Sequence, residues 1–427
     1  MYRREVMEPA LMQADLMQTE RNHPLDGIGR ENLKITDVKV IPLSYVDPKG
    51  DLWRSSRYQV WKTDGAITQI FTDQGLVGIG EGTPYEGPDY IKQYTESVIR
   101  PLLLGKSPFD VQLLANRGNT SRKDRAPWAG IDIACWDLIG KALGKPVYEL
   151  LATDHEPQRK IKIYASAGVE HEWYNDGETF LIEEALRYKE EGYNAFKFRC
   201  GTDWEAAGMT YDRYFPILRR LREAVGPDFR LMHEAVGTQG GSLESIITDF
   251  APVLEELGFY WFEEAFGGTA LEHIDRFVQL KESMPTVKVS GGERFMERFE
   301  AQEWLDRGAL DIIQTDCNVT GLTENWFISR MAHLRGISSI PHSWHGGGTT
   351  MANAHFVAGM PNSEYCELNQ TYNPLKEGIF KEPLTVENGM MTLPDKPGFG
   401  VDLIDDVEER FPFEPGSYLK PNERLSA

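Results

Sequence analysis

The sequence predicts an α/β protein: a parallel TIM-type (β/α) barrel preceded by an N-terminal α+β domain to which the C-terminal segment returns. Three observations predict it. Beyond Gln158, eight short apolar runs recur at intervals of roughly 25–35 residues, with amphipathic stretches of helical length between most of them. Before them, β-rich runs come first and helical patterns second, the order of an α+β unit. After them comes a Pro- and Gly-rich tail with two short β-like pieces. An open doubly wound sheet is the structural alternative, but no GxGxxG follows its first strand.

The elements follow in chain order. Residues 1–33 read as a polar arm or a small packing extension. The arm has no apolar h-region and no small-residue cleavage site, so it does not read as a signal peptide. Residues 34–155 are the predicted capping domain. LKITDVKVIPL alternates like a strand, and AITQIFTDQGLVGIGEG adds two runs about a turn at Asp73-Gln74-Gly75, a three-stranded meander. Helical patterns follow in YIKQYTESVIRPLL, PFDVQLLANRG and AGIDIACWDLIGKALG, the last with a Gly stop and a Pro just beyond. Residues 156–370 are the predicted barrel, with strands IKIYAS, NAFKFR, FRLMHE, FYWFEE, VKVSGGE, LDIIQTD, ISSIPH and SEYCE. FLIEEALRYKEEG, YFPILRRLREAVG and ITDFAPVLEELG are helices between them. Residues 371–427 are expected to return to the capping domain.

Bulk properties narrow the function. Apolar residues make up 41% and charged residues 26% of the 427, the balance of a soluble globular protein. The formal charge of −21 repels nucleic acid and anionic membrane, so neither is an expected partner. Cys135, Cys200, Cys317 and Cys366 are scattered without a CxxC, which reads as reduced thiols in a cytoplasmic protein. No apolar run reaches the ~18 residues that a membrane span needs. The expected partner is a small-molecule carboxylate, bound by a homo-oligomer.

In a parallel barrel the active site lies where the strands end. Here those ends are polar. The second run ends in Lys197 and Arg199, the third in Glu234, the fourth in Glu263 and Glu264, and the fifth in Glu293. The sixth ends in Asp316, the seventh in His342 and the eighth in Glu367. Strand period puts Lys197 and Arg199 on one face, with Phe196 and Phe198 on the other. By the same logic only one of Glu263 and Glu264 faces the axis. Three carboxylates from successive strands cannot all stay ionised in a low-dielectric core without a cation, and hard oxygen donors favour Mg²⁺ or Mn²⁺ over zinc.

The strand-end motifs FKFR, LMHEA, WFEEA, GGE, QTDCNVTGLTE and IPHSW, in this order and spacing, resemble the enolase superfamily and, within it, the mandelate racemase-like subgroup. The resemblance covers about residues 34–410. It implies a capping domain on a modified barrel, one Mg²⁺ per subunit, and Glu234, Glu263 and Glu293 as its ligands. It further implies Asp316 and His342 as a dyad in which the carboxylate orients the imidazole. Glu367 becomes the acid that hydrogen-bonds the substrate carboxylate, and Lys197 the first lysine of a Lys-x-Lys pair. Two features depart from the pattern. The strand-three ligand is usually Asp with Asn two residues on; here it is Glu234 followed by Val236. Arg199 stands where the second lysine, a base, is usual; a guanidinium is a poor base and a good clamp.

The chemistry that these residues fit is removal of the proton next to a carboxylate. Metal and Lys197 stabilise the enediolate, His342 is the base, and Arg199 argues against a second base. Dehydration of a sugar acid to a 2-keto-3-deoxy acid is the leading expectation. A racemase, epimerase or lactone cycloisomerase is the rival within the chemistry. A catalytically silent metal-binding barrel is the rival outside it. A metal-dependent hydrolase ranks below these, because IKIYASAG carries no His-x-His. Other residues carry weaker readings. His233 reads as a packed histidine facing the helices, and Trp344 and His345 lie on the seventh strand-end loop, where substrate contact and plain loop structure are both open. Gly346–Gly348 reads as a run that could approach a ligand. The stretch VDPKGDLWRSSRYQVWKTDG reads as a long loop acting as a lid, with Trp53, Arg54, Arg57 and Tyr58 toward the distal end of the substrate.

Overall fold

The computed structural model describes residues 23–50, 52–54, 58–110, 121–169, 179–199, 204, 208–234, 243–266 and 268–421. An antiparallel sheet opens the capping region: β1 (Ile35–Val46), β2 (Lys62–Thr72) and β3 (Val77–Glu81), in that spatial order. The turn between β2 and β3 falls at the expected place, with Gly75 at φ 80. Helix α1 (Arg122–Leu143) packs on this sheet. It approaches so closely that a Cβ on Gly80 would lie 2.3 Å from the carbonyl oxygen of Gly130. The helix stops where Gly144 turns left-handed at φ 66, and Pro146 follows. The buried Asp137 of α1 accepts bonds from the backbone N–H groups of Ile79 and Phe399, so one carboxylate ties helix, sheet and C-terminal segment together. Of the earlier helical expectations, PFDVQLLANRG lies mostly outside the described residues.

Eight strands form the barrel. They are β4 (Lys160–Ala167), β5 (Ala195–Arg199), β6 (Arg230–Glu234), β7 (Trp261–Glu263), β8 (Lys288–Gly291), β9 (Ile312–Ile313), β10 (Ser338–Ser339) and β11 (Tyr365–Asn369). Each pairs in parallel with the next from β4 to β10, and β11 pairs in parallel with β4. Between β10 and β11 the ring is joined by the Ser339 N–H donating to the Asn362 carbonyl at 2.9 Å. Helices α2 (Phe180–Glu190), α3 (Tyr211–Val225), α4 (Ala251–Glu256), α5 (Ile274–Ser283), α6 (Arg298–Asp306), α7 (Leu322–His333) and α8 (Gly347–Gly359) alternate with the strands. Outward residues such as Phe196, Phe198, Leu231, Phe262 and Val289 pack in the large core shared with these helices.

Residues 1–22 of the expected arm and residues 422–427 lie outside the described residues, and the segments next to them attach to different parts. Residues 23–33 lie against the molecule: His23 is buried with its ring 5.7 Å from Phe327, and Leu33 is buried too. The C-terminal segment joins both regions. Val386–Glu387 and Met390–Thr392 form a hairpin about Asn388 and Gly389, both at positive φ, and the second strand pairs antiparallel with β4 of the barrel. Farther on, Leu419–Pro421 pairs with Tyr58–Val60, which pairs with Trp53–Arg54. The stretch expected to be a loop is therefore a small sheet in part. Its third strand lies more than three hundred residues downstream, where local sequence carries no sign of it. Cys135, Cys317 and Cys366 are buried free thiols, and Cys200 lies outside the described residues. Among the described residues, no helix is long and apolar enough to cross a membrane.

Candidate active site

Strand pleating builds the site. Seven strands place an inward residue in a lower apolar layer: Tyr164, Ala195, Met232, Trp261, Ile312, Ile340 and Tyr365. Two residues on, the same face presents Ser166, Lys197, Glu234, Glu263, Gln314, His342 and Glu367, nearer the strand ends. The fifth strand contributes by a turn instead. Gly292 at φ 110, a conformation that disfavours any side chain, carries the chain into Glu293.

Glu234, Glu263 and Glu293 each offer one oxygen, and these atoms all lie within 4.8 Å of one another. Lys197 Nζ sits among the acids. It is 2.7 Å from Glu263 Oε1, 2.9 Å from Glu367 Oε1 and 3.6 Å from Glu234 Oε2. Burial opposes its charge, but Glu263 and Glu367 outweigh this and hold the ammonium well above its usual range. Burial pushes Glu263 up to about 7, against the pull of Lys197. Burial acts on Glu293 in the same sense, yet the charges of His342, Lys197, Arg294 and Arg199 bring it down to about 2. Five carboxylates, those of Glu234, Glu263, Glu293, Asp316 and Glu367, crowd among the side chains of Lys197, Arg199, Arg294 and His342. Hard oxygen donors crowded in this way fit a divalent magnesium ion.

His342 stands on the other side of Glu293. Its Nδ1 is 3.0 Å from Asp316 Oδ2, and its Nε2 is 3.5 Å from Glu293 Oε2. Burial disfavours the imidazolium, but Glu293, Asp316 and Glu367 raise it to about 10. The carboxylate excess behind that rise is the one a divalent cation would cancel. Asp316 is fixed in turn. Its Oδ1 accepts from Asn318 N–H at 2.8 Å and from Asn353 Nδ2 at 3.1 Å.

A cavity of about 400 Å³ opens above, walled by Arg199, Glu234, Glu293, His342, Trp344 and His345 on the barrel side. Trp53, Tyr58, Thr83 and Tyr85 of the capping region and Tyr418 and Leu419 of the C-terminal segment also line it. Arg57 lies outside the described residues, and so does Val236. Neither Glu367 nor Lys197 lines the cavity: Glu367 Oε2 accepts the Ser343 N–H at 2.7 Å and its Oε1 faces Lys197, which Glu263 and Glu234 also flank. Glu264 turns away from Glu263 at φ 47 and accepts from Gly292 N–H. His233 faces the helices, with Tyr214 Oη 2.8 Å from its Nε2 and Phe198, Phe250 and Phe262 around the ring. The glycine run approaches the protein itself: a Cβ on Gly348 would fall 2.7 Å from Glu81 Cβ, at the start of α8. Glu81 accepts from Thr349 N–H there at 2.9 Å, and burial pushes its carboxyl up to about 7.

Three residues went unread in the sequence. Trp261 Nε1 donates to Glu263 Oε2 at 3.0 Å, and Gln314 Nε2 to the same oxygen at 2.7 Å. Both sit two residues before a strand-end acid, so the alternation used for Lys197 and Arg199 could have found them. Asn353, in the middle of α8, donates through Nδ2 to Asp316 Oδ1 and to the His342 carbonyl at 3.0 Å, and accepts from Cys317 N–H. No local signal marks it.

Residues 181–407 match a family described as enolase C-terminal domain-like, and residues 51–152 match the mandelate racemase/muconate lactonizing enzyme N-terminal domain. The chain is similar to the arabinonate dehydratase of Saccharolobus solfataricus, with 33% identity over 354 residues, covering 81% of this chain and 89% of the relative. It is similar to the D-galactarolactone cycloisomerase of Agrobacterium fabrum, with 29% identity over 362 residues, covering 81% and 90%. A solved structure of an enolase superfamily member from Polaromonas sp. JS666 superposes with a TM-score of 0.76 at 28% identity, covering 90% of this chain and 99% of that one.

Proposed function

We propose that this chain, which belongs to the mandelate racemase/muconate lactonizing enzyme family of the enolase superfamily, is a magnesium-dependent dehydratase that converts a sugar acid to a 2-keto-3-deoxy acid. The carbon next to a carboxylate releases its proton reluctantly, because a second negative charge then develops on the oxygens. Held by Glu234, Glu263 and Glu293, one magnesium ion per subunit would supply the positive charge that offsets it. Lys197 keeps its charge and binds the carboxylate end of the substrate. An ionised Glu367 has acceptors and no donor, so it acts on that carboxylate through Lys197 rather than directly. His342 takes the α-proton at Nε2, while Asp316 holds the Nδ1 edge and orients the ring. The enediolate then collapses by expelling the β-hydroxyl, which takes the proton gained by His342 and leaves as water, and the enol product tautomerises to the keto acid.

The observation that carries this reading is Arg199 bound to Glu234 at the end of β5. A guanidinium is protonated at any working pH, so it cannot return a proton to the opposite face as a racemase requires. Cycloisomerisation needs no such return, and the similarity to a lactone cycloisomerase keeps it as the second reading. The test is a screen of mono- and diacid sugars with Mg²⁺, run in deuterated water and followed by NMR. A 2-keto-3-deoxy acid is expected. An isomer of equal mass would place the chain with the cycloisomerases, and recovered substrate deuterated and inverted at the α-carbon would overturn the one-base scheme.

A further inference from the structure

Helix α8 is buried along its whole length, and at its middle stands Asn353, an amide among Met351, Ala352, Ala354 and Phe356. A buried amide is costly unless it is bonded, and both ends of this one are taken. Cys317 N–H donates to its Oδ1 at 3.1 Å. A backbone N–H can only donate, so it fixes which end of the amide is oxygen. The two hydrogens of Nδ2 therefore face the other way, toward Asp316 Oδ1 at 3.1 Å and the His342 carbonyl at 3.0 Å. One side chain thus holds the backbone of His342 and the carboxylate beside it, 11 and 37 residues away along the chain.

The bond to Asp316 decides which oxygen His342 meets. Asp316 Oδ1 accepts from Asn318 N–H at 2.8 Å and from Asn353, which leaves Oδ2 facing His342 Nδ1 at 3.0 Å. With the Asn318 bond alone, the carboxylate would be held from one side and free to turn. We propose that Asn353 is a positioning residue for proton abstraction: it locks the Asp316 carboxylate and the His342 main chain in one register, so that Nε2 stays aimed at the α-proton. Asn353 belongs neither to the carboxylate cluster nor to the cavity wall, so it acts only through these two residues. The inference rests on the reading of His342 as the base and is independent of whether the enediolate dehydrates or isomerises.

Steady-state kinetics of Asn353→Leu test this, with rates taken per folded protein and with Mg²⁺ titration and denaturant unfolding alongside. Leucine keeps the volume and loses all three bonds. The expected result is a kcat lower by about 10–100-fold, the scale of an outer partner of a functional group. KM and Mg²⁺ affinity should stay near wild type, so that kcat and kcat/KM fall together. Asn353→Ala leaves room for a water that can rebuild part of the bonding, and should fall between; it carries the same reading if the leucine variant does not fold. The decisive comparison is a double-mutant cycle. In Asp316→Asn the orienting carboxylate is already gone, so adding an Asn353 substitution should slow turnover much less than it does in the wild type. Normal kcat in both Asn353 variants, fully multiplicative losses in the cycle, or a loss that follows Mg²⁺ affinity or KM would overturn the proposal. Turnover that survives His342→Asn would overturn it together with the reading of the base. A wild type that yields an isomer instead of a keto acid, with the same Asn353 pattern, would sink the dehydratase alone and support this inference.

Discussion

The lower layer of the barrel interior holds Tyr164, Met232, Trp261, Ile312, Ile340 and Tyr365; the layer above it holds Lys197, Glu234, Glu263, Gln314, His342 and Glu367. The same strands supply both layers, one pleat apart. Both are buried, yet they are held in different ways. In the lower layer, rings meet edge to face, Tyr164 against Trp261 at 5.2 Å and against Tyr365 at 6.1 Å, and the Tyr365 hydroxyl adds bonds to Arg230 and Asn194. In the upper layer the acids are desolvated and crowded, and each depends on a cation or donor beside it. One pleat thus separates residues that close the barrel from residues arranged for chemistry, which commonly detract from stability. A direct thread between the layers is Trp261, whose ring packs below while its Nε1 donates upward to Glu263.

That contrast can be broken from either side, and the largest effect is expected in the upper layer. His342→Asn should lower kcat by roughly 10²–10⁴ while leaving Mg²⁺ affinity and unfolding midpoint near wild type. Keto-acid formation at the normal rate in this variant would remove His342 as the base. Glu263→Gln comes next. It should weaken Mg²⁺ binding beyond the ~10–100-fold typical of losing an outer contact, yet keep the unfolding free energy of the chelated protein within about 1 kcal/mol. A collapse of stability there would mean that the upper layer is structural after all. Trp261→Ala, one pleat down, should act mainly on stability and cost ~3–5 kcal/mol in denaturant unfolding, besides removing the Nε1 bond to Glu263. The smallest and sharpest change is Trp261→Phe. It retains a ring, with a stability loss under about 1.5 kcal/mol, but removes the bond to Glu263 Oε2. Calorimetry should then find weaker Mg²⁺ binding, and no change would show that the thread between the layers carries nothing.

Much of this arrangement was legible because two strong regularities act locally. The period of two along a strand separates Lys197 and Arg199 from Phe196 and Phe198, and the barrel rule points to strand ends. Together they single out Glu234, Glu263, Glu293, Asp316, His342 and Glu367 from the chain itself, and the family resemblance adds roles to them. The alternation also placed His233 outward, where the aromatic cluster around it lies. It separated Glu263 from Glu264 without saying which faces the axis; the left-handed backbone at Glu264 is a tertiary outcome.

What the amino-acid order by itself determined is the set of polar residues at the barrel mouth, because each depends only on neighbours one or two positions away. What only the tertiary structure decided involves segments distant in sequence. Residues 53–54 and 58–60 looked like a loop and form strands because Leu419–Pro421 reaches back to them. Gly346–Gly348 looked free to meet a ligand and instead meets Glu81 of the capping sheet. Asn353, unmarked among apolar neighbours, bridges Asp316 and His342 from the middle of α8. A strand edge, a close-approaching glycine and a buried amide are each defined by the partner that satisfies them. When that partner lies tens to hundreds of residues away, no local pattern encodes it, and only the folded chain brings it within bonding distance.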